Sequence, residues 1–475
     1  MIELSILIVI FLFFRKSKKR VKTNSFYVSG NRNYTIDNLN RGLIAIGGAG
    51  SGKTYSMIKP LLGYCIKHKG CLTFDPKGEL SPLINDLAEK NKKKVLNFSL
   101  DNNYDALNPL SLCNDKSDVI EFSSYFLSGI VGIPKNDNAK YFFNAAKSVL
   151  TGVIIYFKNT NSKYATIPHI IALFLTASGE DILKLLSSDP EARRASMILS
   201  SVKKDPRLMG NIISTFTAFF SSLDTPTIFS NLVSEEQITM PNDPNNPSII
   251  NLIFNLQKRD LYTPIYSSIV GLILKKMNTP NQHESAVIID EFTVLSIPNF
   301  VNIPETARSN KIATCIAIQD LSQLVSKYGR EEASSIVSNM GSQFLFRTTN
   351  PETLTHFERM LGTREVSNIS YTRSTGISLK ASKNTGVRDK NILRKESIIN
   401  YRPGQVFGII SEGSSKLIEG SRIHGNHYLK DSKKNGSFKY KISDTDVNTV
   451  YQQVYNDIDS ILTTSNYISP SKFNI

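Results

Sequence analysis

Short apolar runs alternate with segments of helical periodicity near the start of the chain. Leu43–Ile46, Cys71–Phe74 and Lys94–Phe98 have the composition of strands, and the segment from Tyr55 to Ile66 has the spacing of a helix. Strands that alternate with helices are typical of a parallel sheet with helices on both faces. The pattern therefore predicts an α/β fold with a mostly parallel sheet.

The periodicity becomes helical between Lys116 and Glu236, where no alternation typical of strands is visible. The segments with helical spacing are Phe142–Tyr156, Ile167–Leu175, Asp181–Leu186 and Leu208–Phe220. Strand patterns return at Ser248–Phe254, Ala286–Ile289, Ala313–Ile318, Gln343–Phe346 and Gln405–Ile410. An all-α insertion is therefore predicted to interrupt one α/β domain, and a last helix is predicted from Asp446 to Leu462.

The N-terminus joins an apolar block, residues 1–14, to six basic residues between Arg15 and Lys22. Secretory signals have the opposite order, and basic flanks stay in the cytoplasm, so we expect one N-terminal anchor with the bulk of the chain cytoplasmic. As a helix the block spans ~21 Å against a hydrocarbon core of ~30 Å, so Arg15 and Lys16 must snorkel or the bilayer must thin. The alternative is an apolar tail that lies on a surface.

Composition narrows the class of protein. A hydrophobic content of 40% with 20% charged residues excludes a collagen-like, disordered or polytopic membrane chain. The four cysteines are scattered without a Cys-x-x-Cys pair, which argues against a disulfide framework or zinc site and fits a reducing compartment.

The net charge of +15 indicates an anionic partner, either nucleic acid or a membrane surface. Apart from the N-terminal cluster, the surplus is concentrated in Tyr371–Lys395, where seven basic residues face one acidic residue, Asp389. We predict an exposed loop or hairpin there. Its candidate DNA-contacting residues are Lys380, Lys383 and Arg388, and a merely solvated loop is equally compatible with the sequence.

A phosphate loop follows the first strand. The sequence Gly47-Gly48-Ala49-Gly50-Ser51-Gly52-Lys53-Thr54 fits G-x4-G-K-[ST], with an apolar strand before it and a helix after it. Its glycines allow backbone amides to face the phosphates of ATP. Lys53 is expected to bridge the β- and γ-phosphates, and Thr54 to ligate Mg²⁺.

Two carboxylates end the strand Ala286–Ile289. Asp290 is expected to hold Mg²⁺ together with Thr54, and Glu291 to act as general base for the attacking water. Gln319 ends the next strand and is expected to sense the γ-phosphate or orient the water, although an ordinary strand terminus is as compatible with the spacing. Arg308 precedes that strand and is a candidate arginine finger, against the default of a surface arginine.

Several ordered segments resemble the type IV coupling proteins, the TraG/TraD-like ATPases of conjugation and type IV secretion. Besides the phosphate loop, the resemblance rests on Asp75–Leu80, Asn108-Pro109-Leu110, Asp290-Glu291-Phe292 and Gln319–Leu324, and it extends from the N-terminal block to about Ser411. The all-α insertion also lies where this family carries one.

The resemblance implies a RecA-like core and a membrane-anchored homo-hexamer that moves single-stranded DNA with bound relaxase to a secretion channel. It also implies that Arg308 acts in the site of a neighbouring subunit, and that ATP and Mg²⁺ are used. Three other functions remain open: a receptor for protein effectors, a DNA pump for chromosome segregation or virion packaging, and a small-molecule phosphotransferase.

The predicted organisation has five parts. They are an anchor with a basic stop at 1–23, the nucleotide-binding domain at 24–115, the all-α domain at 116–236, the rest of the nucleotide-binding domain at 237–425, and a C-terminal tail with one helix at 426–475. The anchor places the protein at the inner, or cytoplasmic, cell membrane.

Overall fold

The structure is a computed structural model that describes residues 25–29, 33–101, 104–198, 206–373, 381–425, 428–429 and 446–467. Its strands are β1 Phe26–Ser29, β2 Asn33–Ile36, β3 Leu43–Ile46, β4 Gly70–Asp75, β5 Val95–Phe98, β6 Ile249–Ile253, β7 Ser285–Ile289, β8 Ile312–Ile318, β9 Ser342–Leu345, β10 Thr363–Arg373, β11 Ala381–Asn391, β12 Gln405–Ile409 and β13 Leu417–Arg422. Each strand predicted from the apolar runs is present. The hairpin β1–β2 and strand β13 were not predicted.

Nine strands form one sheet in the order β13-β12-β9-β3-β8-β7-β4-β6-β5. The strands from β9 to β5 pair in parallel, whereas β12 runs antiparallel to both β9 and β13. This confirms the predicted α/β fold with a mostly parallel sheet. The carboxyl ends of β3, β8 and β7 lie side by side, because these strands are neighbours.

Helices cover the sheet. Their bounds are α1 Lys59–His68, α2 Ser81–Lys90, α3 Lys116–Val131, α4 Asp137–Thr160, α5 Ile167–Thr176, α6 Gly179–Ser188, α7 Pro190–Ala195, α8 Pro206–Phe220, α9 Pro226–Leu232, α10 Arg259–Met277, α11 Asn302–Ala307, α12 Leu321–Tyr328, α13 Arg330–Asn339, α14 Pro351–Leu361, α15 Lys395–Ile399 and α16 Val447–Tyr467. A π-helical turn, Thr54–Ile58, leads from the phosphate loop into α1.

Both faces of the sheet are buried, which explains why its strands are apolar without strict alternation. In β3, Ile44 and Ile46 pack into the core on one face, while Leu43 and Ala45 pack into the core on the other. The strand side chains divide in this way because successive residues point to opposite faces. The sheet is therefore a rigid support for the loops at its carboxyl edge.

The segment between β5 and β6 is helical, as its periodicity indicates. Its core is continuous with one face of the sheet: Phe157 and Phe174 of the helices belong to the same buried cluster as Phe74 and Phe98 of the strands. Its first helix, α3, packs closely on α10, because Gly129 lets the backbone of α3 approach Pro264. The helices are thus held firmly against the sheet.

The C-terminal helix α16 returns to this helical segment, where it packs against α5 and α9. Tyr451 and Tyr455 each donate a hydrogen bond from the phenol to Asp224 Oδ1, at 3.0 and 2.9 Å. His169 of α5 contacts Asp457 at 3.3 Å. The predicted helix of the tail therefore becomes part of the helical layer.

Two elements project from this framework. Strands β10 and β11 pair with each other alone, as an antiparallel hairpin, so residues 371–373 and 381–391 of the basic stretch belong to paired strands. No helix in the described ranges is long and apolar enough to cross a membrane. The predicted N-terminal anchor lies outside the described residues.

Candidate active site

Hydrogen bonds and close packing hold the phosphate loop against the ends of neighbouring strands. The amide of Gly47 donates to the carbonyl oxygen of Ile318 at 3.2 Å, and the amide of Gly48 donates to that of Arg347 at 2.9 Å. On its other side Gly52, with a φ of +91°, lies against the backbone of Gly404. The loop is therefore clamped by β8, by the end of β9 and by the turn before β12.

Lys53 is buried inside the loop, where its ammonium group donates to the carbonyl oxygens of Gly47 and Gly48. Burial lowers the pKa of Lys53, and the charges of Glu291 and Asp290 oppose that effect. The buried hydroxyl of Ser51 has no hydrogen-bond partner within the described part of the chain. A buried ammonium and an unpaired hydroxyl inside a glycine loop fit a phosphate ligand.

Thr54 and Asp290 lie together at the mouth of the loop. The Thr54 hydroxyl donates to Asp290 Oδ2 at 3.0 Å. Burial raises the pKa of Asp290 to about 6, although the hydrogen bond from Thr54 and the charge of Lys53 act in the opposite direction. A carboxylate and a hydroxyl oxygen are hard ligands of the kind that Mg²⁺ prefers, so these residues fit the ion.

Glu291 is held by a ring of polar side chains. Its carboxylate accepts from Gln319 Nε2 at 3.1 Å and from the Thr293 hydroxyl at 3.1 Å. Gln323 closes the ring, because its amide group contacts Gln319 Oε1 at 3.4 Å and its Oε1 lies 3.3 Å from the Thr293 hydroxyl. Glu291 itself has a left-handed backbone, with a φ of 73°, which is uncommon for a residue with a side chain.

Sequence reasoning did not assign roles to Thr293 and Gln323. Gln323 lies in the first turn of α12, and it belongs to the segment Gln319–Leu324 that carries the resemblance, which is the signal that could have found it. Nothing in the sequence marks Thr293, which follows the acidic pair in an otherwise apolar turn.

Arg308 lies outside this site. It follows α11 and precedes β8, so the seven residues of β8 separate it from Gln319 by ~20 Å at ~3.3 Å per residue. Arg308 is exposed, near Glu412 at the opposite edge of the sheet. It cannot act in the site of its own chain.

Two of the candidate DNA-contacting residues lie on the hairpin. Arg388 is exposed in β11, in register with Val366, and Lys383 is in register with Tyr371. Lys380 lies outside the described residues. In the described residues β10 and β11 form a two-stranded sheet of their own, so the hairpin is separate from the nine-stranded sheet that carries the nucleotide site.

Asp75 has a role in the fold. Its buried carboxylate accepts from the amides of Leu80 and Ser81 at 2.8 and 3.0 Å and from the Ser81 hydroxyl at 2.9 Å. Burial raises its pKa, while these hydrogen bonds lower it. Asp75 thus fixes the start of α2, whereas the exposed Lys77 lines the cleft beside the phosphate loop.

A cleft of about 1190 Å³ opens from the phosphate loop and passes the acidic pair. The cleft is also lined by three further cations from different elements: Lys135 before α4, Arg259 of α10 and Lys327 of α12. Sequence reasoning assigned them no role, since the three residues lie in segments that are far apart in the sequence.

The sequence matches the model of the family described as "Type IV secretory system Conjugative DNA transfer" over residues 8–404. A search of curated proteins found no match. Among solved structures, an unbound form of the bacterial conjugative coupling protein TrwBΔN70 has a TM-score of 0.63 at 14% identity, over 86% of this chain and 89% of that chain.

Two further structures of the plasmid coupling protein TrwB are similar. The complex with ADP and Mg²⁺ has a TM-score of 0.60 at 15% identity, over 80% of this chain and 84% of that chain. The complex with a non-hydrolysable ATP analogue has a TM-score of 0.61 at 14% identity, over 81% and 85%. At these identities the likeness establishes a shared fold.

Proposed function

We propose that this chain, which belongs to the conjugative DNA-transfer family of type IV secretory systems, is an ATPase that drives single-stranded DNA with bound relaxase to a secretion channel. One observation carries the ATPase part of the proposal. Lys53 and Thr54 after β3, Asp290 and Glu291 after β7, and Gln319 after β8 meet at one edge of the sheet.

The roles of these residues follow from their contacts. Lys53 and the loop amides bind the β- and γ-phosphates, and Thr54 and Asp290 hold Mg²⁺. The ion, when bound, neutralises charge on the phosphate oxygens. Glu291 takes a proton from the attacking water, and Gln319 keeps the Glu291 carboxylate in position through the contact at 3.1 Å.

The wider assembly is also part of the proposal. Arg308 lies at the opposite edge of the sheet from its own nucleotide site, so as an arginine finger it must serve a neighbouring copy, which a homo-hexameric ring supplies. The apolar N-terminal block followed by basic residues supports one anchor in the inner membrane, with the body on the cytoplasmic side.

The test is ATP hydrolysis by the full-length chain, with and without single-stranded DNA. We expect DNA to stimulate hydrolysis. Lys53→Ala should lose nucleotide binding, whereas Glu291→Gln should retain it and lose ~10²–10⁴-fold in hydrolysis, the usual contribution of a general base. Glu305→Gln removes the same charge from an exposed position of α11 and is the matched control.

Two results would contradict the proposal. Full activity in Glu291→Gln would mean that another group accepts the proton. Hydrolysis that responds to a protein cargo and not to DNA would favour the delivery of protein effectors instead.

A further inference from the structure

The cleft carries positive charge that the nucleotide site does not use. Arg259 and Lys135 are exposed, and Lys327 is partly buried. Within the described part of the chain none of the three forms an ion pair. Burial and the charge of Arg259 lower the pKa of Lys327 to about 8, with Asp260 as the opposing acidic group.

Two of the three cations are held by hydrogen bonds to backbone carbonyl oxygens. Arg259 donates from its guanidinium to the carbonyl oxygen of Thr293 at 2.8 Å, and Lys135 donates to that of Ser326 at 3.1 Å. Because the cations come from separate elements and still converge on one cleft, they form a built surface rather than a solvated run of charge. Like charges that gather without an ion-pair partner in the described residues favour an anion.

We propose that Arg259, Lys327 and Lys135 form a second phosphate-binding site, which takes a backbone phosphodiester of a single-stranded nucleic acid. The inference rests on the proposed function, since it names where the DNA of that function touches the motor. It does not involve the hairpin β10–β11.

Position distinguishes a phosphodiester from a phosphate of ATP. Lys53 and the loop amides already serve the nucleotide on one side of Glu291. Arg259 donates to the backbone of Thr293, whose hydroxyl donates to Glu291, so this contact leads to the general base and not to the phosphate loop. The cleft, at about 1190 Å³, is also larger than the ~300–1,000 Å³ of ordinary small-molecule pockets. Exposed Lys and Arg side chains that track a backbone are the usual contacts of single strands.

Hydrogen bonds through Thr293 connect the proposed phosphate site to the general base, Glu291. The Thr293 hydroxyl has one proton and two acceptors in reach, Glu291 Oε1 at 3.1 Å and Gln323 Oε1 at 3.3 Å. A phosphodiester that competes for the Arg259 guanidinium loosens its hold on the Thr293 carbonyl. The hydroxyl then has freedom to change acceptor, so that occupancy of the second site alters the hydrogen bonding of Glu291.

The experiment compares the double variant Arg259→Gln/Lys327→Gln with the wild-type full-length chain. The affinity for a single-stranded oligothymidylate is measured by fluorescence anisotropy over a range of salt concentrations. Two lost phosphate contacts should weaken binding and reduce the slope of log K against log salt by ~1.4, at ~0.7 per contact with a single strand. The KM for ATP should stay at its wild-type value.

Three controls accompany this variant. Lys67→Gln/Lys416→Gln removes the same charge from exposed positions at the other edge of the sheet and should change neither affinity. Arg259→Lys/Lys327→Arg keeps the charge and should keep most of the DNA affinity. Wild-type affinity for a non-hydrolysable ATP analogue shows that the double variant is folded.

Each of the other outcomes overturns the inference. A loss of ATP affinity, alone or together with DNA affinity, would assign the cations to the nucleotide or to the fold. Unchanged affinities for both ATP and the oligothymidylate would mean that the cluster binds neither ligand. A changed oligomer size with unchanged DNA affinity would assign the cluster to a contact between copies of the chain. A wild-type chain that binds no oligothymidylate would refute the proposed function itself, before any variant is compared.

Discussion

Two glycines of the phosphate loop should respond differently to the same substitution. Gly50 and Gly52 both have left-handed backbones, with φ of +68° and +91°. A Cβ at Gly52 would lie 2.5 Å from the amide nitrogen of Gly404, whereas a Cβ at Gly50 would meet no atom within 4 Å. The pair therefore separates the cost of the backbone conformation from the cost of a collision.

The magnitudes follow from these contacts. In both variants the left-handed conformation costs an alanine ~1–2 kcal/mol. Gly52→Ala must also displace Gly404, at ~1–3 kcal/mol for an overpacked site. The amide of Gly404 donates to the Ser51 carbonyl oxygen at 2.9 Å, so its displacement also weakens that hydrogen bond, worth ~0.5–1.5 kcal/mol. Gly52→Ala should thus destabilise the protein by ~1.5–4.5 kcal/mol more than Gly50→Ala.

Urea unfolding followed by far-ultraviolet circular dichroism is the suitable assay, since the chain contains no tryptophan to report by fluorescence. The difference between the midpoints, multiplied by a common slope, gives the difference in unfolding free energy. Equal midpoints for the two variants would refute the reasoning. They would show that the turn at Gly404 can move without a loss of unfolding free energy and does not support the phosphate loop.

Three other outcomes are expected. Because the pKa of Asp290 is raised to about 6, its carboxylate becomes protonated as the pH falls through about 6. The Mg²⁺ concentration that half-saturates hydrolysis should therefore rise as the pH falls through this range. A half-saturating concentration that stays constant would contradict the role of Asp290 as a ligand. Arg308→Ala should abolish hydrolysis but regain part of it when mixed with Lys53→Ala subunits, and the absence of recovery at every ratio would exclude action in trans. Asp75→Ala leaves the amides of Leu80 and Ser81 unpaired, so it should lower the unfolding free energy by ~1–3 kcal/mol per amide. The KM for ATP should stay unchanged. A raised KM would instead assign Asp75 to the nucleotide site.

The sequence allowed much of the fold to be predicted, for a physical reason that β3 illustrates. A strand buried on both faces must be apolar throughout, so Leu43–Ile46 stands out in a polar context. The short strands β1, β2 and β13 lack such a run and were missed. The hairpin β10–β11 is polar along its length, so its sequence left open whether it was a loop or paired strands.

Part of the candidate site could be predicted from the sequence, and part of it could not. The phosphate loop and the acidic pair are contiguous in sequence, so their chemistry could be predicted from residue type and spacing. The contact between Thr293 and Gln323 in the ring around Glu291 could not be predicted, because these residues become neighbours only when α12 packs beside the turn after β7. The sequence did not favour any role for Asp75. Because its side chain is buried, the structure assigns it to stabilising the start of α2.

The sequence by itself determined the types of the main elements, the phosphate loop and the carboxylates that follow β7, because local periodicity and spacing record which side chains must be buried or exposed. Only the tertiary structure decided which strand ends are neighbours, and therefore that Gln319 meets Glu291 while Arg308 lies at the opposite edge. It also brought Arg259, Lys327 and Lys135 together from distant segments. Such pairings depend on how whole faces pack, and no short stretch of sequence contains that information.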